Sequence, residues 1–301
     1  MKAPILVPLD GSPLAEQALE HAASLAGLLE APILLTRVPE PLIVPVMSAG
    51  IWITHEVETA EARAQAEAYL AEVAARPVFA GIEVTQRIAH SPVPAGLLEL
   101  MQEVSPRLVV MSTHGRSGLQ RVVLGSVADK LLRSANCSVY LLPAAAPAES
   151  TLPERILLPL DGSALAETAI AHARDLALAA GAELILCRVP TLPGYSTVVP
   201  ENAAMIPALL REESLRVEAY LADRVAALRA EGVDARGQVA LVEAGTVVEG
   251  LIDAADSLDV DLIMLCSHGR SGIGRWLFGS VADGLVRQAR RPVWLVKPTG
   301  D

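Results

Sequence analysis

The sequence predicts an α/β fold built twice in one chain, each copy a parallel sheet of five strands with helices on both faces. Three observations carry this expectation. "ILVPLDGSPLAEQALEHA" at Ile5–Ala22 returns as "ILLPLDGSALAETAIAHA" at Ile156–Ala173. "STHGRSGLQRVVLGS" at Ser112–Ser126 returns as "CSHGRSGIGRWLFGS" at Cys266–Ser280. Within each copy, short continuous apolar runs alternate with segments of helical period, the pattern of buried parallel strands joined by helices.

In the first copy the apolar run Ile5–Leu9 reads as a buried strand. Asp10-Gly11-Ser12 ends it, and Leu14, Ala18, Ala22 and Leu25 then recur at helical spacing. Ser12 before Pro13 has the chemistry of an N-cap with proline at the first helical position. The second copy keeps that face at Leu165, Ala169, Ala173 and Leu176. Pro32–Val38 is the second strand, and a variable connection follows it. A long helix is expected over Val57–Ala75, a strand near Ile82–Ile88, a helix near Pro94–Glu103 and a strand at Leu108–Met111. The glycine loop, a helix from Ser126 and the strand Ser138–Leu142 close the copy. The second copy repeats this order and ends at "PVWLVKP".

The offset between copies is 151 residues at Asp10 and Asp161, and 154 at Gly115 and Gly269. A period this long indicates duplicated domains rather than a solenoid, and it divides the chain at 1–146 and 152–301. "AAAPAESTLPE" at Ala144–Glu154 has the composition of the linker.

With 52% hydrophobic residues the 301-residue chain can fill two cores, built mainly from Ala, Leu and Val because aromatics are only 3%. A net charge of −11 argues against nucleic acid or an anionic membrane as partner. Any phosphate must therefore be held by local geometry. Cys137, Cys187 and Cys266 have neither CxxC nor His-partner spacing, which excludes a disulfide scaffold and a zinc motif and suits a reduced, cytoplasmic setting. Each reads as a small buried hydrophobe. No stretch reaches the roughly 20 apolar residues of a membrane span, and "APILVPL" reads as a first strand rather than a signal peptide.

The repeated loops suit an anion. Glycines let backbone N–H groups converge on one point, and a helix start adds about half a positive charge. Gly115 and Gly118 can form such a concavity with Arg116 inside it, and Gly125-Ser126 then opens a helix whose hydroxyl can cap it or donate to a phosphate. Gly269, Arg270, Gly272, Gly279 and Ser280 repeat the arrangement. The GxxxxGK[ST] of a P-loop is absent, and the glycines follow the fourth strand, which excludes a first-strand GxGxxG. The plainer reading is a pair of tight turns that start helices. In a 3-2-1-4-5 sheet the winding reverses between strands one and four, and ligands sit beyond the strand ends at that point. Asp10 and Asp161 end the first strands there. Each can accept from a ribose hydroxyl or an adenine amine, hold a phosphate-bound Mg²⁺ through water, or cap its own turn. His114 and His268 lie in the loops with no nucleophile or carboxylate spaced to orient them, so no catalytic set is assigned.

With these motifs in view, both halves resemble universal stress protein domains, and the chain resembles a tandem member of that family over essentially its whole length. The family's nucleotide motif is G-2x-G-9x-G-[ST]. Gly115 and Gly125-Ser126 match its later part, as do Gly269 and Gly279-Ser280, whereas Ser112 and Cys266 stand at its first glycine. The resemblance implies an adenine-nucleotide α-hydrolase-like sheet and ATP, with or without Mg²⁺, as ligand, bound more weakly for that departure. It places Asp10 and Val38, with Asp161 and Val189, beside adenine and ribose, and the phosphates on the glycine loops. It implies a cytoplasmic, nucleotide-binding stress-response or signalling protein without efficient catalysis. The alternatives are a protein–protein module of the same fold and a slow ATPase, although the SGGxDS and HIGH motifs of related enzymes are missing. Single domains of the family commonly dimerise through their last strands, which implies an internal pseudo-dimer through "SVYLLP" and "PVWLVKP", with a dimer of whole chains as a further option. The uncharged apolar stretch Pro41–Ile53 differs from its counterpart and is expected to be a cover or partner surface rather than core.

Overall fold

The computed structural model describes residues 2–48, 51–90, 92–113, 124–146, 152–192, 205–242, 245–266 and 279–297. They fall into two compact units, Met1–Leu152 and Pro153–Asp301.

In the first unit β1 (Ile5–Pro8) is followed by α1 (Pro13–Glu16), α2 (Ala18–Leu29) and β2 (Ile33–Arg37). A hairpin of β3 (Leu42–Ser48) and β4 (Ile51–Val57) leads to α3 (Ala60–Ala74), a 3₁₀ turn at Pro77–Phe79 and β5 (Val84–Ile88). Then come α4 (Val93–Val104), β6 (Leu108–Ser112), α5 (Ser126–Ser134) and β7 (Ser138–Leu142). The sheet runs β5-β2-β1-β6-β7, every pair parallel. From β1 the chain steps outward to β2 and β5, then crosses back to β6 and β7. Right-handed crossovers therefore put α2 and α3 on one face and α4 and α5 on the other. The contacts agree: α2 packs on β1, β2 and β6, α3 on β2 and β5, and α4 on α5. Ile5, Leu6, Val7, Leu35, Val109 and Val110 form the dry centre of the sheet. Thr85, Gln86 and Arg87 are exposed, because β5 is an outer strand and polar side chains there deter further pairing.

The second unit repeats the plan with β8 (Arg155–Pro159), α6 (Ala164–Ala180), β9 (Glu183–Arg188) and α7 (Ile206–Ala230). It continues through β10 (Ala235–Val239), α8 (Val247–Ser257), β11 (Leu262–Cys266), α9 (Ser280–Gln288) and β12 (Val293–Val296). The parallel order is β10-β9-β8-β11-β12. Here one helix, α6, takes the place of the α1–α2 pair, which breaks at Gln17.

Three expectations need adjusting. The connection after β2 is an antiparallel ribbon that reaches Val57, so the long helix begins later, at Ala60. Thr59 caps it, its hydroxyl accepting from the Ala62 N–H at 3.1 Å. Cys137 is only half-buried, unlike Cys187 and Cys266. Finally, the apolar character expected of every strand fails at β5 and β10, where one edge needs no second cover.

Candidate functional site

The site starts at the DGS turn that ends the first strand of each unit. Gly11 and Gly162 sit at φ +83° and +81°, a conformation that side-chain-bearing residues rarely adopt. Oδ1 of Asp10 accepts the Ser12 N–H at 2.9 Å, and the Ser12 hydroxyl accepts the Ala15 N–H at 3.1 Å to start α1. Asp161 and Ser163 repeat both bonds at 2.9 and 3.1 Å, and the Ser163 hydroxyl also donates to Asp161 at 2.6 Å. The turn-capping reading of both aspartates thus holds for one carboxylate oxygen.

Beyond the ends of β1, β2 and β6 lies a cavity of about 430 Å³. That is within the 300–1,000 Å³ typical of small-ligand sites. Asp10, Val38, Ser112, Gly125 and Ser126 all line it, so five residues drawn from four separate stretches of sequence converge. Its walls are otherwise largely apolar, with Leu9, Leu97 and Met111. The strand ends are tied firmly: the Leu9 N–H donates to the Thr36 carbonyl at 2.8 Å, and the Gly125 N–H to the Thr113 carbonyl at 2.9 Å. In the second unit Asp161 and Val189 follow β8 and β9, Cys266 ends β11, and Gly279 and Ser280 open α9, the corresponding places. Gly115, Arg116, Gly118, Gly269, Arg270 and Gly272, with His114 and His268, lie outside the described residues.

The helix starts differ from one expectation. Gly125 and Gly279 are the N-caps of α5 and α9, at φ −58° and −64°, and neither helix has a side-chain cap. Ser126 and Ser280 are already the first helical residues, so their hydroxyls do not cap. At these φ values no left-handed turn requires a glycine there. The start of α5 therefore presents uncapped first-turn N–H groups beside the cavity, the arrangement that favours an anion.

Several lining residues escaped the sequence reading. Thr36 is fully buried, lines the cavity, and its hydroxyl has no hydrogen-bond partner among the described residues. A buried hydroxyl left unpaired costs about 1–3 kcal/mol. Arg37, next along β2, lines the cavity too and stacks over the Tyr69 ring at 4.5 Å. Its guanidinium lies against Gly11, where a Cβ would meet it at 3.1 Å. The Tyr69 hydroxyl donates to Glu16 at 2.8 Å, and Arg76 reaches the same carboxylate at 2.8 Å. Burial pushes the Glu16 carboxyl up, but the bonds from Arg76 and Tyr69 outweigh it and hold the group below its usual range. Burial first, then the Glu16 hydrogen bond, raises the Tyr69 phenol.

The second unit builds the same latch. Arg188 lies over Tyr220 at 5.0 Å, Tyr220 donates to Glu167 at 2.8 Å, and Arg224 reaches Glu167 at 3.1 Å. Burial and then Glu167 push the Tyr220 phenol up to about 12. Glu16, Arg37 and Tyr69 each recur at the 151-residue offset; Glu16 lies inside the quoted repeat, and extending it past Ala22 would have found Arg37 and Tyr69. "EAYLA" itself occurs twice, at Glu67–Ala71 and Glu218–Ala222.

The comparisons with known proteins agree with this architecture. The model of the Universal stress protein family matches residues 1–143 and again 153–297. A universal stress protein of Mycolicibacterium smegmatis is 30% identical over 98% of this chain and 97% of its own length. One from Mycobacterium tuberculosis is 31% identical over 69% of this chain and 67% of its own. Among solved structures, a universal stress protein from Archaeoglobus fulgidus superposes with a TM-score of 0.70 at 20% identity, covering 98% of each chain. A duplicated sheet, a duplicated turn and two family matches lead to one conclusion: the chain belongs to the universal stress protein family, and carries its domain twice.

Proposed function

We propose that this chain binds ATP beyond the strand ends of each unit and acts as a nucleotide-responsive stress or signalling protein without efficient turnover. One observation supports this most: Asp10, Val38, Ser112, Gly125 and Ser126 line a single cavity together with an orphaned buried hydroxyl, Thr36. The apolar wall suits a purine face. Val38 and Asp10 suit the base and ribose. The uncapped start of α5 suits the phosphates, worth about 0.3–1 kcal/mol per anionic group and up to about 2 when part-buried. Arg37 adds a cation to the same wall. Mg²⁺ would travel with the phosphates, since no group of three His, Cys, Asp or Glu side chains is gathered among the described residues. The domain limits 1–146 and 152–301, the cytoplasmic setting and an internal pairing of the two copies belong to the same proposal.

The test is calorimetry with ATP on the full chain, with mass spectrometry of protein purified gently and without added nucleotide. Saturable binding, or retained adenine nucleotide, is expected. No heat and no retained nucleotide would overturn the reading and favour the interaction-module alternative.

A further inference from the structure

Among the described residues the β3–β4 ribbon joins no other strand, and its apolar side chains face solvent on both sides. Ile43, Ile51 and Trp52 are 65%, 67% and 67% exposed. An isolated two-stranded ribbon is marginal in water, and three or more strands are needed for independent stability. Eight apolar residues of the ribbon are exposed, and strands added at one of its edges would supply the further pairing that a two-stranded ribbon lacks.

The two edges of the ribbon are not equivalent. Pro45 stands opposite Thr54. Proline has no N–H, so this pair cannot be a hydrogen-bonded one; the bonds between the strands come from the flanking pairs, Val44 with His55 and Val46 with Ile53. The outward-facing groups of β3 are then those of Ile43, Pro45 and Met47, and the middle residue has no donor. That edge is blunted, as edge prolines do. The outward-facing groups of β4 are those of Trp52, Thr54 and Glu56, and that edge keeps all its donors and acceptors. Thr54 is also the midpoint of Ile51–Val57, so a second β4 laid antiparallel about Thr54 pairs along its full length.

We propose that two copies of this chain associate through β4, edge to edge about a twofold axis at Thr54, forming a four-stranded antiparallel sheet. The contact is isologous: Thr54 meets Thr54 of the other copy, Trp52 meets Glu56 and Ile51 meets Val57. The blocked β3 edges close the assembly at two chains. A second copy fits better than an anionic lipid surface, because the ribbon contains no Lys or Arg and the chain carries a net charge of −11.

The experiment is sedimentation velocity on the full chain over a range of concentrations, with circular dichroism to verify folding. Wild type is expected to dimerise. Thr54→Pro removes an outward donor that the ribbon itself does not use, so the ribbon should persist while the dissociation constant rises about tenfold or more. Pro45→Thr opens the second edge and should give species larger than dimers. Should Thr54→Pro unfold the ribbon, Ile51→Ser with Trp52→Ser supplies a second weakening variant with an intact backbone. A wild type that stays monomeric, with or without adhesion to anionic vesicles, overturns the proposal. So does a dimer indifferent to Thr54→Pro and to the double serine variant.

Discussion

The two units share a latch and differ in the groups behind it. Glu16, Tyr69 and Arg37 recur as Glu167, Tyr220 and Arg188, with the same bonds. A supporting arginine is present in both, but Arg224 stands within α7 whereas Arg76 lies just past the end of α3. By contrast Thr36 becomes Cys187, and Ser112 becomes Cys266, so two hydroxyls are exchanged for two thiols. Arg188 also has Glu213 at 3.9 Å, whereas Arg37 has no ion pair among the described residues. The latch ties three elements, and losing one member leaves a part-buried charge or phenol unpaired. Groups lining a cavity carry no such fold-wide obligation and can diverge. The connection after the second strand diverges further: a ribbon in the first unit, and in the second a helix of 25 residues where α3 has 15.

This contrast predicts that the first unit is the tighter nucleotide site. Gly125→Val should block close phosphate approach and cost that site about a hundredfold in affinity. Gly279→Val should remove only the weaker phase, and the double variant both. Two equal sites in calorimetry would break the comparison.

Thr36→Val should separate ligand from fold. It removes an orphaned buried hydroxyl, so stability should rise by about 1 kcal/mol while ATP affinity falls about tenfold. Cys187→Thr should move the second site the opposite way on both counts. Chemical denaturation and calorimetry on the same samples read the two effects. Unchanged affinity in both variants would remove Thr36 from the binding surface.

The latch should respond alike in both units. Glu16→Gln and Glu167→Gln should each cost about 1–2 kcal/mol at neutral pH, after discounting charge-assisted bonds for partial solvent screening. For Glu16 the folded-state carboxyl titrates below its ordinary 4.5. Its contribution is therefore present above that value and disappears as pH falls through the lower folded value. The gap between wild type and Glu16→Gln should close in acid. A gap independent of pH would make the effect one of packing.

The smallest effect is alkaline. Tyr220 rises from 10 to about 12 on folding, so its contribution is complete below pH 10 and is lost as pH climbs through about 12. Tyr220→Phe should flatten that part of the stability profile by roughly 1 kcal/mol, a figure already reduced for its part-exposed ring. Burial alone pushes the Cys187 thiol to about 12 as well. That slope should remain in the phenylalanine variant, together with the one from the raised Tyr69 phenol.

The sequence alone determined the duplication, the strand–helix alternation and the DGS turns. These are properties of local period and of residues whose backbone preferences act within a few positions, as Gly11 at φ +83° illustrates. Repetition within one chain also marked Asp10, Gly125 and Ser126, and the family resemblance added Val38 and Ser112, before any coordinate did. Tertiary structure alone decided three things. Thr36 reads as one polar residue in an apolar strand until the sheet buries it beside the cavity. Glu16, Arg37 and Tyr69 are too far apart in sequence for any local period to join them; three packed elements bring them together. The ribbon was hidden because both its faces are apolar, which erases the alternation by which a half-buried strand is recognised, and because Pro45 argues against a strand until its partner shows that the missing donor faces outward.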